Sequence, residues 1–286
     1  MFVAGALLYS IGVALANSTG VSFRLTLAAT GLVAVFFGQI SGQIANDFWD
    51  RVGDMRSRRT FFSGGSGVLV NGLLTPGAAL RGALVSCVIA VLLGFAIETW
   101  FSTGLLTVPI ILIGTLGGWL YSAVPIRLVS TGFGEMIVSG IVSFFPIMAG
   151  FYLQTGTLTP EVLSACVLMA VFLFPVFLSV EFPDYDADKW SGKRNLLVRL
   201  GMRSTARLYT STMLMPYLIL LAFIYGGLLE RSALIIFATL PFAILGSKRA
   251  LALSEPDLDS AGFVTLTSMV VFVMTMALFL FSIVMN

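Results

Sequence analysis

Long apolar runs separated by short polar segments dominate the chain. Stretches with little or no charge occur at 2–16, 25–45, 80–97, 105–122, 133–153, 162–182, 206–225, 233–247 and 263–284. A helix needs roughly 20 apolar residues to cross a hydrocarbon layer, so this pattern predicts nine transmembrane helices. The first run is short, spanning about 24 Å at helical rise. It lacks the basic leader and small-residue cleavage site of a signal peptide, and reads as a first span that is retained. Pro109, Pro146, Pro175, Pro216 and Pro241 fall in or near these runs and mark expected kinks. Gly31, Gly38, Gly42 and Gly140 read as positions where helices pack closely.

Composition agrees with the pattern and excludes a soluble domain. Hydrophobic residues make up 58% of the chain and charged residues 10%, with a mean hydropathy of +0.99. No histidine occurs, which removes imidazole bases and the usual histidine-containing zinc sites. Cys87 and Cys166 both lie in apolar runs and read as buried free thiols.

The placement of charge sets the expected topology. With nine spans, Arg51, Arg56, Arg58, Arg59, Arg81, Arg127, Lys189, Lys193, Arg194, Arg199, Arg203, Arg207, Lys248 and Arg249 fall on the side of the N-terminus, and only Arg24 and Arg231 fall opposite. Basic residues accumulate on cytoplasmic loops. The N-terminus and the loops after the even-numbered spans are therefore expected in the cytoplasm of a multi-pass protein of the cell membrane.

Two acidic motifs interrupt this apolar background. NDFWDRVGD, residues 46–54, ends the second run, and DYDAD, residues 184–188, follows the sixth. Four crossings separate them, so both are expected on the same side. If the second helix continues through its motif, Asn46, Asp50 and Asp54 share one face, with Asp47 near Asp54. Asp184 and Asp188 are likewise helical neighbours, and Asp186 turns away. Like charges held this close need a cation between them. Magnesium suits the set, because it takes one or two carboxylates and completes its shell with water and phosphate oxygens. Arg56, Arg58 and Arg59 beside Gly64, Gly65 and Gly67 offer phosphate-binding groups, as do Lys193 and Arg194. The same residues also suit contact with anionic lipid.

NDFWDRVGD resembles the NDxxDxxxD signature of the UbiA superfamily of intramembrane prenyltransferases. DYDADKWSGKRNLLVRLG resembles its second signature, and RTFFSGGSGVL and LYSAVPIRLVSTGFGE resemble segments of the 1,4-dihydroxy-2-naphthoate polyprenyltransferase branch. The resemblance covers most of the chain. Glu181 stands where that branch often has asparagine, and Asn195 where threonine usually follows GKR. The resemblance implies one all-α domain over 1–286: a bundle of about nine transmembrane helices with cytoplasmic caps over a central cavity. It further implies magnesium-dependent condensation of a polyprenyl diphosphate with an aromatic acceptor, in a lipid bilayer and without nucleic acid. Carried over by position, Asn46, Asp50, Asp54, Asp184 and Asp188 would hold metal, with Asp50, Asp184 and Tyr121 catalytic. Asn46, Arg59, Arg127, Lys193 and Arg194 would bind substrate.

That chemistry is physically consistent. Breaking an allylic C–O bond leaves charge on diphosphate, where metals and cationic side chains act. Tyr121, Trp49 or one of the phenylalanines could face the allylic cation, although Tyr121 also suits an interfacial anchor. A prenyltransferase of the same superfamily for an acceptor other than 1,4-dihydroxy-2-naphthoate, a terpene cyclase of that superfamily and a secondary transporter remain alternatives, the last disfavoured because its ionisable residues belong near the midplane.

Overall fold

The computed structural model describes residues 2–55, 65–253 and 257–285, which contain helices and no strand. In chain order these are α1 (Phe2–Ser18), α2 (Leu25–Asp54), α3 (Pro76–Phe101), α4 (Thr107–Ser122), α5 (Gly134–Thr155), α6 (Pro160–Glu181), α7 (Tyr185–Trp190), α8 (Leu196–Leu200), α9 (Met202–Tyr225), α10 (Leu240–Leu251) and α11 (Leu258–Val284). A 3-10 turn, Leu128–Ser130, precedes α5, and a 3-10 helix, Arg231–Thr239, runs into α10. Each of the nine apolar runs has become a helix. Among the described residues seven helices are long and apolar enough to cross a membrane, with Arg231–Leu251 counted as one, while α1 and α4 are shorter apolar helices. The chain is an integral, multi-pass membrane protein.

Local chemistry sets several boundaries. Thr75 caps α3 by accepting from the Ala78 N–H at 3.2 Å, with Pro76 in the first turn, where no backbone donor is needed. Asp257 accepts from the N–H groups of Asp259 and Ser260 and starts α11. Pro146, Pro175 and Pro216 lie inside helices. Pro109 and Pro241 instead lie in the first turns of α4 and α10, where proline is compatible with a straight helix.

The helices form a ring and an outer layer. Helix α2 packs on α3 and α4, α5 on α1, α4 and α6, and α11 on α1, α6 and α10. The outward side of α3, with Leu84, Val85, Val88, Leu92 and Phe95, is exposed and apolar, as a surface against acyl chains must be. Between helices, buried hydroxyls find partners: Tyr9 donates to the Ala28 carbonyl at 2.9 Å, Ser41 to the Ala83 carbonyl at 2.8 Å, and Trp119 to Ser41 at 2.7 Å. Such bonds replace water for polar groups that have none in lipid. The packing expected at Gly31, Gly38 and Gly42 is present, against Tyr9, Thr115 and Gly118, whereas nothing lies close to Gly140.

The α1–α5 crossing is the tightest constraint. A Cβ on Gly12 would stand 2.0 Å from the Ile147 carbonyl oxygen, and one on Gly150 would stand 2.2 Å from that of Tyr9. Both obstacles are backbone and cannot rotate away. Overpacking of this kind costs about 1–3 kcal/mol or more. Gly12→Val and Gly150→Val should each therefore lower the melting temperature of the detergent-solubilised protein by several degrees, whereas Gly140→Ala should leave it unchanged. An unaltered melting curve for both valine variants would refute this crossing.

Candidate active site

A cavity of about 510 Å³ lies inside the ring, lined by residues of α1, α2, α4, α5, α6 and α11 and by the segments joining them. Most of its wall is apolar, including Ile110, Val138, Phe145, Leu173, Phe177 and Phe272. One end differs. There Asn46, Asp50, Asp54, Asp184, Asp188 and Lys193 converge.

Helix α2 supplies the first half of this end. It runs unbroken to Asp54, so residues 46, 50 and 54 share a face, as the spacing predicts. The stripe continues inward: Gln39 and Gln43, at the same helical period, also line the cavity. Asn46 is fixed across the cavity by the Ser122 hydroxyl of α4, which donates to its Oδ1. Gly65 lines the cavity with φ +62, and a Cβ there would stand 2.3 Å from Asp54 Oδ2. Both the left-handed backbone and the close approach therefore require glycine.

The second half comes from the turn after α6. The Asp184 N–H donates to the Glu181 carbonyl at 3.1 Å, and the Asp188 N–H to that of Asp184 at 2.8 Å. This places Asp184 and Asp188 one turn apart, with Asp188 buried and Asp186 exposed. Gly192, with φ +76, turns the chain back so that the Lys193 N–H donates to the Asp188 carbonyl at 3.0 Å. The Lys193 ammonium then lies 3.1 Å from Asp50 Oδ2 and 3.3 Å from Asp188 Oδ1. Asn195 donates to the other Asp188 oxygen at 2.8 Å and caps α8 through the Val198 N–H.

These contacts shape the electrostatics. Burial disfavours the charged form of Lys193, but the flanking carboxylates of Asp50 and Asp188 outweigh it and hold the ammonium above its ordinary range. For Asp188 burial dominates and raises the carboxyl, against the opposing pull of Lys193. Asp54 lies within electrostatic range of Asp50, Lys193, Asp184 and Asp47. Lys193 is the one cationic side chain among the described residues that line the cavity, facing four aspartates. Asp50 Oδ1 is buried with no hydrogen-bond partner. Among the described residues no three acidic side chains close on a single point. Paired carboxylates, with Asp50 Oδ1 left unpartnered, suit magnesium, an ion that takes few carboxylates and completes its shell from water and phosphate.

The chain scores as a prenyltransferase when compared with known proteins: the model of the UbiA prenyltransferase family matches residues 7–283. The chain belongs to that family. It is 23% identical over 227 residues to a 1,4-dihydroxy-2-naphthoate octaprenyltransferase of Bacillus subtilis (strain 168), covering 77% of this chain and 70% of that one. The Escherichia coli (strain K12) protein of the same name is 27% identical over 235 residues, 74% of this chain and 69% of that one. In fold it is similar to a UbiA homolog from Archaeoglobus fulgidus bound to DMAPP and Mg2+, with a TM-score of 0.71, 18% identity and coverage of 99% and 96%.

Within this UbiA-family chain, not every residue expected at the site reaches it. Arg59 lies outside the described residues. Arg194 is exposed and is not among the residues that line the cavity, unlike its neighbour Lys193. Arg127 also stays off the wall, in a left-handed backbone (φ 43) that opens the 3-10 turn. Tyr121 does line the cavity, with its ring 6.3 Å from that of Phe177. Trp49 does not, and packs edge-on against Phe48 at 5.1 Å.

Two glutamates matter more than the sequence suggests. Glu135 of α5 accepts from the Leu196 N–H at 2.9 Å, and Glu181 of α6 from the Leu197 N–H at 3.2 Å. Their other oxygens, Glu135 Oε2 and Glu181 Oε1, are buried and make no hydrogen bond among the described residues. Both glutamates are buried, at 0% and 6% exposure. Together they pin the start of α8, and with it the Lys193–Asn195 turn, to two membrane helices. The available signal was a lone acid in each of two apolar runs. Glu135→Leu should lower stability by about 1–3 kcal/mol, because it strands the Leu196 N–H. Glu135→Gln, whose amide oxygen can still accept from the Leu196 N–H, should stay close to wild type. Thermal unfolding of both variants tests this, and equal losses would remove the clamp.

Proposed function

We propose that this chain, as one prenyltransferase domain, uses magnesium to transfer a polyprenyl group from a polyprenyl diphosphate to 1,4-dihydroxy-2-naphthoate. The reading rests above all on the cavity's division into an apolar body and an acidic end. The apolar body suits an isoprenoid tail, and the acidic end carries four aspartates against one ammonium. The names of the relatives support the acceptor, and the magnesium and DMAPP of the archaeal homolog support the donor and the ion.

In this reading Asn46, Asp50, Asp54, Asp184 and Asp188 hold the metal, which when bound offsets charge growing on the diphosphate. Lys193 contacts diphosphate oxygens as a mobile point charge. The allylic C–O bond breaks and its electron pair leaves with the diphosphate. The Tyr121 and Phe177 rings line the wall beside these groups, where a ring face stabilises the allylic cation. A ring carbon of the naphthoate then bonds to the prenyl carbon. If that carbon carries the carboxylate, carbon dioxide departs and leaves its bonding pair in the ring, so aromaticity returns without a base. That route suits a chain with no histidine. The excess of basic residues at loops on the acidic side supports a cytoplasmic orientation for this end, in the cell membrane.

The test is incubation of purified protein with magnesium, a panel of polyprenyl diphosphates and naphthoate or benzoate acceptors, read by mass spectrometry. The expected product is a prenylated naphthoquinol lighter by carbon dioxide. Asp50→Ala and Asp184→Ala should each lower turnover at least 100-fold, a size typical of lost transition-state charge stabilisation, with unchanged folding. A product that keeps the carboxylate, or turnover with benzoate alone, would move the acceptor to another class. A cyclised product without acceptor would indicate a terpene cyclase.

A further inference from the structure

We infer that Lys193 holds the metal position closed when no metal is bound and yields it when metal and diphosphate arrive. The inference rests on the metal assignment above and extends it to a positioning role for this lysine.

The geometry is that of a bridge. One ammonium contacts carboxylates from two separate elements, Asp50 of α2 at 3.1 Å and Asp188 of α7 at 3.3 Å. All three side chains are nearly excluded from solvent, at 12% exposure for the lysine and 9% for each aspartate. Without it, Asp50 and Asp188 would face each other in a poorly solvated pocket with Asp54 and Asp184 nearby, and like charges at short range repel strongly there. A lysine carries a single charge on a flexible stem with rotatable donors. It can therefore bridge two carboxylates without fixing a coordination shell, and can leave without moving its backbone. That backbone is itself anchored: the Lys193 N–H is bonded to the Asp188 carbonyl, and the next turn is held by Asn195, Glu135 and Glu181.

A divalent ion at these carboxylates would repel the ammonium from the same oxygens, while a diphosphate would attract it. The two cations compete for Asp50 and Asp188 when diphosphate is absent, and cooperate once diphosphate offers the lysine a second partner. Metal affinity should therefore be low alone and rise with diphosphate. Lys193 should be the residue responsible for the difference.

This has a sign that a merely structural lysine would not give. Mn2+ binding would be measured by calorimetry on the full-length, detergent-solubilised protein, with and without inorganic diphosphate. In the absence of diphosphate, Lys193→Met should bind Mn2+ about fivefold more tightly than wild type or better, within the usual range for coupled sites. Its melting temperature should fall in chelator and recover with Mn2+. Adding diphosphate should tighten Mn2+ binding more in wild type than in the variant. Lys193→Arg, whose guanidinium can still bridge the pair, should bind Mn2+ no better than wild type, and supplies a charged control should the methionine variant fold poorly. Equal or weaker Mn2+ binding by Lys193→Met than by wild type, or tighter binding by Lys193→Arg, would overturn the inference while leaving the metal site standing. Failure of all three proteins to bind Mn2+ even with diphosphate would overturn the metal assignment and this inference together.

Discussion

Four aspartates at one end of an apolar cavity repel one another, and the rest of the structure is arranged around that repulsion. The charges come from different elements: Asp50 and Asp54 end a long helix, while Asp184 and Asp188 sit on the turn that follows α6. Bringing them together is unfavourable unless a cation intervenes. Among the described residues that line the cavity, that cation is Lys193. The site is therefore built for added positive charge, and the unpartnered buried oxygen of Asp50 points the same way.

The membrane setting explains why this arrangement can be maintained. Helices satisfy their own backbone groups, so a bundle can surround an empty apolar volume without exposing peptide dipoles to lipid. The ring holds its shape through close backbone contact, as at Gly12 and Gly150, and through hydroxyl bonds such as Tyr9 to Ala28. Polar residues on the cavity side of α2 then mark depth. Amides at 39 and 43 lie inward and carboxylates at 50 and 54 at the end, a gradient that suits a substrate with a charged head and an apolar tail.

Much of this was legible in the sequence, and the parts that were not share a physical cause. The nine runs became helices because lipid leaves an apolar stretch of that length little alternative. Asn46, Asp50 and Asp54 were assignable to one face because helical periodicity fixes relative direction within an element. Periodicity says nothing across elements. The clamp of Glu135 and Glu181 joins α5 and α6 to α8, and neither residue's neighbours in the chain reveal the other. The same limit applies to Arg194 and Arg127, which are not among the residues lining the cavity: adjacency to a motif locates a residue along the chain, whereas its place in space depends on the turns around Gly192 and the 3-10 segment.

The clamp also accounts for a feature that would otherwise be costly. Burying two carboxyls in a membrane helix bundle is unfavourable unless each is bonded, and here one oxygen of each accepts from the same short segment. Leu196 and Leu197 give up their free N–H groups to them, Asn195 caps the helix that follows, and Lys193 is carried immediately before it. Leu197, fully buried in the core, anchors the segment from the apolar side. A lysine whose ammonium must be free to change partners needs a backbone that does not move with it. Two glutamates, fixed on transmembrane helices rather than on the loops, supply that stationary base.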